Sequence, residues 1–291
     1  MKPITMTDVR AVPGDSGFLI DDGTTAVLYD SGFAFTGFAV AEKIRNALGE
    51  RRLEYILLTH SHYDHVLGVP SILTAYPDAK VVAGAYAAQV FARTSAKNIM
   101  RELNRNAAEK HGMPPDDSGV DQLRVDIPIR DGDQVVCGEL RFTAIELPGH
   151  TKCSVGYYLE ENKLFLGTET LGVFFGDDTY LPSFLVGYQT ALDSFHKIRM
   201  LDVKTMLLPH YGVVDGEKLR SYLKCSEAAT RDTAHLIVSM LQRGLTEQEI
   251  LAYFEKKAYR DQVKTTYTID AFLMNTRIMI ERVKKELLQE E

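Results

Sequence analysis

Three of the eight histidines in this 291-residue chain fall close together, in the sequence THSHYDH that starts at Thr59. Imidazole nitrogens and carboxylate oxygens are the usual ligands of zinc and other borderline divalent metals. In extended backbone, His60 and His62 project to the same side, so both can bind one metal ion. A turn after His62 would bring Asp64 and His65 to a neighbouring ion. The segment therefore predicts a site for two metal ions, in preference to a solvated histidine-rich turn.

Two further histidines follow predicted strands and stand beside glycine or proline. They are His150, in the sequence LPGHT, and His210, in the sequence LPHYG. Each alone is typical of a hydrogen-bonded turn histidine, but their shared position after a strand favours a ligand role. The remaining histidines, His111, His196 and His235, lie in helical or polar segments. We predict that these three are surface or packing residues.

The elements of the first half would place the histidine-rich segment at the end of an apolar strand. Strands are predicted at residues 18–20, 25–29, 53–58 and 80–82, and helices at 39–48, 69–76 and 85–110, the last broken near Thr94. These predictions rest on the spacing of apolar residues, which alternate in the strands and follow helical periodicity in the helices. The histidine-rich loop follows the strand 53–58 directly.

The second half begins as a series of strands and ends as helices. Strands are predicted at 123–129, 134–137, 140–147, 154–159, 164–166 and 204–208, with a helix at 190–200. After Gly216 the pattern is almost purely helical, with a capping box between Thr246 and Glu249 and a long helix at 269–288. A boundary near residue 217 is therefore predicted.

These motifs, in this order, resemble those of the metallo-β-lactamase superfamily over about residues 15–215. The resemblance rests on an HxHxDH loop, a downstream PGHT histidine, an acidic residue after the next hairpin and a PHYG histidine after a late strand. It implies a mixed α/β (α+β) fold, an αββα sandwich with the metals at one edge of two packed sheets. Residues 1–217 would form the catalytic domain, and residues 218–291 a C-terminal helical extension.

The resemblance also implies a role for each ligand. The first metal would be held by His60, His62 and His150. The second would be held by Asp64, His65 and His210. Asp30, at the end of the predicted strand 25–29, matches the family's acidic residue that supports the histidine loop.

One position departs from the family pattern. The family carries Gly-Asp at the end of the strand after the PGHT histidine, and that aspartate bridges the metals, whereas Thr168 follows Gly167 here. Glu169 could bridge instead through its longer side chain, and Asp177 is the alternative. We predict Glu169, because it lies at a strand end like the other ligands; a solvent-facing Glu169 is the competing interpretation.

Two divalent ions, zinc or else iron or manganese, that share a water would lower its pKa and supply hydroxide near neutral pH. Hydrolysis is therefore the expected chemistry, with Asp64 as a ligand and a candidate proton acceptor. Tyr63, Tyr180 and Tyr211 could stabilise an oxyanion, with simple packing as the competing interpretation. The predicted function is hydrolysis of a small-molecule ester, thioester or lactone. The alternatives are a small-molecule phosphodiesterase and a ligand-binding or regulatory protein with little turnover.

The composition of the chain limits the classes of partner that we expect it to bind. The chain is 45% hydrophobic and 25% charged, as in ordinary globular proteins, and its net charge of −7 disfavours nucleic-acid binding. Three scattered cysteines, no apolar signal region and no long apolar run predict a cytoplasmic protein without a membrane partner. The expected partner is a small-molecule substrate. The aromatic segment 173–186 could be a lid or a packing insertion, and the helical extension could cover the metals or form a homo-oligomer.

Overall fold

The computed structural model describes residues 3–288. The first of its two large sheets contains, in spatial order, β1 (Thr5–Asp8), β2 (Phe18–Asp21), β3 (Ala26–Tyr29), β4 (Tyr55–Leu57), β5 (Lys80–Gly84) and β6 (Ile127–Ile129). Strands β3 to β6 are parallel. The carboxyl ends of β3 and β4 therefore meet at one edge of the sheet, which brings Asp30 beside the loop that follows β4.

The second large sheet is also six-stranded. Its strands are β7 (Gln134–Cys137), β8 (Leu140–Glu146), β9 (Val155–Leu159), β10 (Leu164–Leu166), β13 (Thr205–Leu208) and β14 (Gly212–Asp215), in the spatial order β14–β13–β10–β9–β8–β7. A separate hairpin pairs β11 (Val173–Phe174) with β12 (Tyr180–Leu181). Because β10 and β13 are parallel, the loops that carry Glu169 and His210 leave the sheet at the same edge.

Helices cover the outer face of each sheet. The first sheet is covered by α1 (Gly37–Leu48), α2 (Tyr63–Val66), α3 (Val69–Ala75), α4 (Ala85–Phe91) and α5 (Thr94–Lys110). The second is covered by α6 (Tyr188–Arg199) and α7 (Gly216–Gln242). The chain continues through α8 (Glu247–Ala258), α9 (Asp261–Thr266) and α10 (Ile269–Leu287). None of the helices within residues 3–288 is long and apolar enough to cross a membrane.

Side chains alternate in direction along each strand, which explains why the two sheets pack against each other. In β3, Val27 and Tyr29 face the core between the sheets, whereas Ala26 and Leu28 face the core under the helices. Successive side chains of a strand point to opposite faces, and both faces of β3 are covered. All four residues are therefore buried. The expected αββα sandwich is confirmed.

The helical extension has a core of its own that reaches into the sandwich. Ile237 of α7 and Ile280 of α10 are fully buried and belong to one apolar cluster with Tyr188 of α6. The predicted capping box at the start of α8 is confirmed: Thr246 Oγ1 accepts from the Glu249 backbone, and the Glu249 carboxylate accepts from the Thr246 backbone.

The structure differs from the sequence-based prediction in several segments: strands β1, β11, β12 and β14 were not predicted, and one predicted strand is shorter. The strand predicted at 123–129 begins only at Ile127, because the Asp126 side chain takes the Val81 N–H that a longer strand would bond. Strand β14 was not predicted, because the glycines at its start and just beyond its end, Gly212 and Gly216, resemble loop punctuation. Both adopt positive φ angles, Gly212 as the first residue of β14 and Gly216 as the first residue of α7.

Candidate metal centre

The histidine-rich loop changes from extended to helical backbone at His62. This residue has φ −77° and ψ 151°, and α2 begins at the next residue. The extended part carries His60 and His62, whereas Asp64 and His65 lie on the single turn of helix. The predicted change of direction is therefore present, and it separates the four side chains into two pairs.

Asp30 holds this loop through both of its carboxylate oxygens. Oδ1 accepts from the Thr59 backbone N–H at 2.8 Å, and Oδ2 accepts from His65 Nδ1 at 2.8 Å and from Ser16 Oγ at 3.0 Å. The Thr59 hydroxyl donates to the same carboxylate and lies 3.0 Å from His60 Nδ1, from which it can accept. The supporting role predicted for Asp30 is confirmed.

The two distant histidines are anchored in the same way. His150 Nδ1 lies 2.6 Å from Ser183 Oγ, and His210 Nδ1 lies 3.1 Å from the Asp15 backbone carbonyl. A protein oxygen at Nδ1 fixes the proton there and leaves the Nε2 lone pair free for a metal. His60, His65, His150 and His210 therefore all present Nε2 to the same region.

Buried nitrogen atoms without partners mark this region. Within residues 3–288, no hydrogen bond reaches His60 Nε2, His65 Nε2 or His210 Nε2, although all three atoms are buried. A buried polar atom without a hydrogen-bond partner is costly, so three such nitrogens in one region fit a role as metal ligands. His62 instead presents Nδ1, which lies 2.8 Å from His150 Nε2.

Glu169 lies between the two sets of ligands. Its Oε2 is 2.8 Å from His150 Nε2 and 3.8 Å from His60 Nε2, whereas its Oε1 is 3.1 Å from His210 Nε2. The side chain is 3% exposed. One carboxylate thus reaches both sets, as a bridging ligand must.

The spacing of these atoms suits metal ions. Two groups have ligand atoms that all lie within 4.8 Å of one another: His60, His62, His150 and Glu169, and Asp64, His65 and His210. In the second group, Asp64 Oδ2 is 3.7 Å from His65 Nε2 and 3.6 Å from His210 Nε2. Tetrahedral ligands about 2.0 Å from zinc lie about 3.3 Å apart, so the observed separations fit.

Burial and neighbouring charges set the protonation of the cluster. Desolvation, with repulsion between neighbouring imidazoles, holds the pKa values of His60 and His62 well below the usual range. Burial raises the pKa of Glu169, but His150 and His210 outweigh it and hold that pKa well below the usual range. Neutral imidazoles and an ionised carboxylate are the forms that bind divalent metals.

Thr168 and Asp177 do not take the bridging position. Thr168 is buried, and its hydroxyl finds no hydrogen-bond partner within residues 3–288. Asp177 is exposed in the β11–β12 turn with φ 44°, and it lines a surface cleft of about 500 Å³ with Lys257 and Arg260. Glu169 begins a short 3-10 helix, Glu169–Leu171, which points its longer side chain back to the cluster.

The phenol that reaches the cluster belongs to a residue that the motifs did not indicate. Tyr267, between α9 and α10, donates its hydroxyl to Glu169 Oε1 at 2.6 Å. Burial, followed by the charge of Glu169, raises the pKa of Tyr267 well above its usual range, so the phenol stays protonated. Among the tyrosines singled out from the sequence, Tyr180 and Tyr211 pack against Phe174.

The remaining tyrosine of that set, Tyr63, is buried against Phe33, with ring centroids 5.6 Å apart. Its neighbour in sequence, Asp64, lies in the cluster, but the Tyr63 ring belongs to the core under the first sheet. Proximity in sequence to a ligand therefore did not identify the relevant phenol. The only sequence signal for Tyr267 was general, namely that the helical extension could cover the metal edge.

The bridging position of Glu169 leads to a first prediction. Glu169→Gln keeps the shape but removes the charge that both ligand groups share, so metal occupancy is expected to fall in at least one site. Asp177→Asn is the matched control and should retain full occupancy, because Asp177 is exposed and outside both groups. Elemental analysis of both purified variants is the measurement. Occupancy lost in the control and kept in Glu169→Gln would move the assignment to Asp177.

Comparison with known proteins identifies the family. Residues 11–210 match the family model of the metallo-beta-lactamase superfamily. The chain belongs to this superfamily.

A Dictyostelium discoideum protein named glyoxylase B2 is 31% identical over 129 residues, which are 44% of this chain and 39% of that protein. A hydroxyacylglutathione hydrolase of Cereibacter sphaeroides is 29% identical over 174 residues, 58% of this chain and 52% of the relative. The chain therefore spans about half or less of these curated relatives.

Solved structures share the fold over nearly the whole chain. A metallo-beta-lactamase family protein from Thermus thermophilus has a TM-score of 0.64 at 17% identity, with 98% of this chain and 93% of that chain covered. A stereoselective inverting sec-alkylsulfatase from Pseudomonas sp. has a TM-score of 0.67 at 15% identity, with 99% and 49% covered. At these identities the likeness concerns the fold.

Proposed function

We propose that this superfamily member is a metal-dependent hydrolase of a small-molecule ester, thioester or lactone. The observation that carries the proposal is Glu169, whose two oxygens reach the ligand groups on either side. A carboxylate in that position can be shared by two metal ions that act on one substrate. The similarity to proteins named hydroxyacylglutathione hydrolase supports a thioester as the first substrate to test.

The residues present fit two metal ions, with Glu169 shared between the sites. The first would be held by His60, His62 and His150. The second would be held by Asp64, His65 and His210. Bound there, two divalent ions would lower the pKa of a water molecule and polarise the carbonyl oxygen of the substrate. We propose zinc, since imidazole and carboxylate ligands suit it, with iron or manganese as alternatives.

The protein's own groups supply orientation and proton transfer. Asp64, 5% exposed, can accept the proton that is released in hydrolysis. Glu169 Oε1 accepts a hydrogen bond from the Tyr267 phenol, and Glu169 Oε2 lies 2.8 Å from His150 Nε2, beside the first group of ligands. The burial of His60, His65 and His150 excludes bulk water from the cluster, which strengthens each electrostatic interaction inside it.

Thr168 motivates a second candidate, a ligand-binding or regulatory protein on the same fold. It occupies the position where the family has its bridging aspartate, and loss of that aspartate would weaken catalysis. Against this candidate, Glu169 compensates geometrically and all five histidines with Asp64 lie together. A sensor has no need of that full set. A phosphodiesterase of small substrates uses the same two-metal chemistry and is the third candidate.

Metal analysis with a substrate panel separates the three candidates. Purified protein is expected to contain about two equivalents of divalent metal, or to gain them from added zinc, manganese or iron. A panel of an acylglutathione thioester, an aryl ester, a lactone and a phosphodiester should show turnover of a carboxylic ester or thioester. Chelation should abolish that turnover and metal should restore it. Less than one equivalent of metal, with no gain on addition, would sink the proposal.

A further inference from the structure

We propose that the helical extension completes the metal centre: Tyr267 is a positioning residue for Glu169, and Lys110 of α5 holds the segment that carries Tyr267. The inference deepens the proposed function and rests on it. It assigns the extension a specific task in the site, rather than a general role as a cover or a dimer interface.

The contact between Tyr267 and Glu169 joins the extension to both ligand groups. The Tyr267 hydroxyl donates to Glu169 Oε1 at 2.6 Å, and the same oxygen lies 3.1 Å from His210 Nε2. The Tyr267 ring meets the rings of Phe175 and His210 edge-on, with centroids 6.2 Å away in each case. The phenol thus has one direction available, and its donor fixes the rotation of the Glu169 carboxylate.

The extension also meets the other side of the cluster. Tyr267 and Ser183 line one small cavity of about 10 Å³, which is at the lower limit for a single water molecule. Ser183 is the residue whose hydroxyl lies beside His150 Nδ1. The extension and the serine beside His150 therefore line the same small space.

Lys110, the last residue of α5, anchors the backbone that carries Tyr267. Its Nζ donates to the carbonyl of Thr265 at 2.7 Å and to the carbonyl of Tyr267 at 2.8 Å. Tyr259 also donates to the Tyr267 carbonyl, at 3.0 Å. A cation that bonds the last carbonyls of a helix stabilises the end of that helix, here the end of α9.

Gly14 allows the same segment to approach the sandwich closely. Its φ is +85°, and a Cβ atom on it would stand 2.5 Å from the Thr266 carbonyl oxygen. Any other residue would push away the turn that precedes Tyr267. Lys110 therefore holds the carbonyls of Thr265 and Tyr267, and Gly14 leaves room for Thr266 between them. The last of these three residues reaches Glu169.

The test compares metal affinity in two single variants, their double variant and two controls. Tyr267→Phe removes only the donor to Glu169, and loss of such an outer hydrogen bond typically costs about 10–100-fold in metal affinity. Lys110→Met should lower affinity in the same direction. Its effect should nearly vanish in a Tyr267→Phe background, because Lys110 acts through Tyr267. The controls are Tyr253→Phe and Lys97→Met. Tyr253 lies on the exposed face of α8, and Lys97 of α5 forms a surface ion pair with Asp121.

Zinc affinity is read by competition with a chromophoric chelator, and the split between kcat and KM by kinetics on the accepted substrate. A fall in affinity and kcat for Tyr267→Phe and Lys110→Met, with both controls unchanged, supports the proposal. Wild-type affinity in Tyr267→Phe overturns it, as does a Lys110→Met effect that adds fully to that of Tyr267→Phe.

Hydrogen exchange of the metal-free protein separates this proposal from the proposed function. Amides of residues 265–268 should exchange faster in Tyr267→Phe and Lys110→Met than in wild type, whether or not any substrate is turned over. If wild type neither binds metal nor hydrolyses the panel, faster exchange still supports the coupling between extension and cluster. Unchanged exchange in both variants overturns it.

Discussion

Replacing Asp64 with asparagine is expected to lower turnover by about 10²–10⁴-fold, the usual cost of removing a general base. Asp64 Oδ2 lies 3.6 Å from His210 Nε2 and 3.7 Å from His65 Nε2, so it belongs to the second ligand group. Burial raises the pKa of this carboxyl in the metal-free protein. Asparagine keeps the shape but removes the charge and the basic oxygen.

The fold should survive this substitution, because Asp64 lies at the edge of the two sheets and outside their apolar cores. Turnover is measured on whichever panel substrate wild type accepts, with thermal melting and metal content alongside. Asp178→Asn, in the exposed β11–β12 turn, is the matched control. Near-normal turnover in metal-loaded Asp64→Asn would argue against metal hydrolysis at this site and for the ligand-binding candidate.

The candidate ligands were predictable because each follows a strand. His60, His150, Glu169 and His210 all come within a few residues of a strand end, and their neighbours in sequence mark the turn. A parallel pair of strands brings such ends to one edge, so local pattern and sheet topology indicate the same place. Glu169 could be preferred to Asp177 on this ground alone, although Asp177 stands in the more acidic sequence, next to Asp178.

The groups that orient the ligands were less accessible from the sequence. Asp15 contributes a backbone carbonyl to a histidine 195 residues away, and Tyr267 reaches a carboxylate 98 residues away. A backbone carbonyl has no residue-type signature, and a tyrosine among helices resembles any core aromatic. Only the packing of the extension against the sandwich determines that the Tyr267 hydroxyl ends at Glu169.

Two tyrosines between the sheets tie the loops of the cluster together. Tyr29 of β3 donates to the Gly167 carbonyl at 2.6 Å, just before the segment that carries Glu169. Tyr157 of β9 donates to the Leu58 carbonyl at 2.8 Å, just before the histidine-rich loop. Each sheet thus holds the loop of the other, and both phenols are fully buried. The relative position of the two loops is set by these bonds as well as by sheet packing.

Asp30→Asn is expected to weaken both metal binding and the fold. The carboxylate accepts from the Thr59 backbone and hydroxyl, from Ser16 and from His65, and it is fully buried. An amide has one accepting oxygen, so at least one buried donor loses its partner, at a cost of about 1–3 kcal/mol. If the amide oxygen stays with the Thr59 N–H, the amide nitrogen faces His65 Nδ1, which then loses the acceptor that orients it; a loss of about 10–100-fold in metal affinity is typical of such a change.

The substitution should not strain the backbone at position 30, so the expected effects come from the side chain. Asp30 has φ 56°, in the left-handed region that asparagine tolerates as well as aspartate. Urea unfolding of the metal-free protein measures the loss of folding stability, and chelator competition measures the loss of metal affinity. Ser16→Ala is the control: it removes one donor from the same carboxylate oxygen but leaves His65 in contact with Asp30, so it should spare metal affinity. If Asp30→Asn also binds metal as tightly as wild type, the orientation of His65 does not depend on Asp30, and the ring must be held by its packing alone.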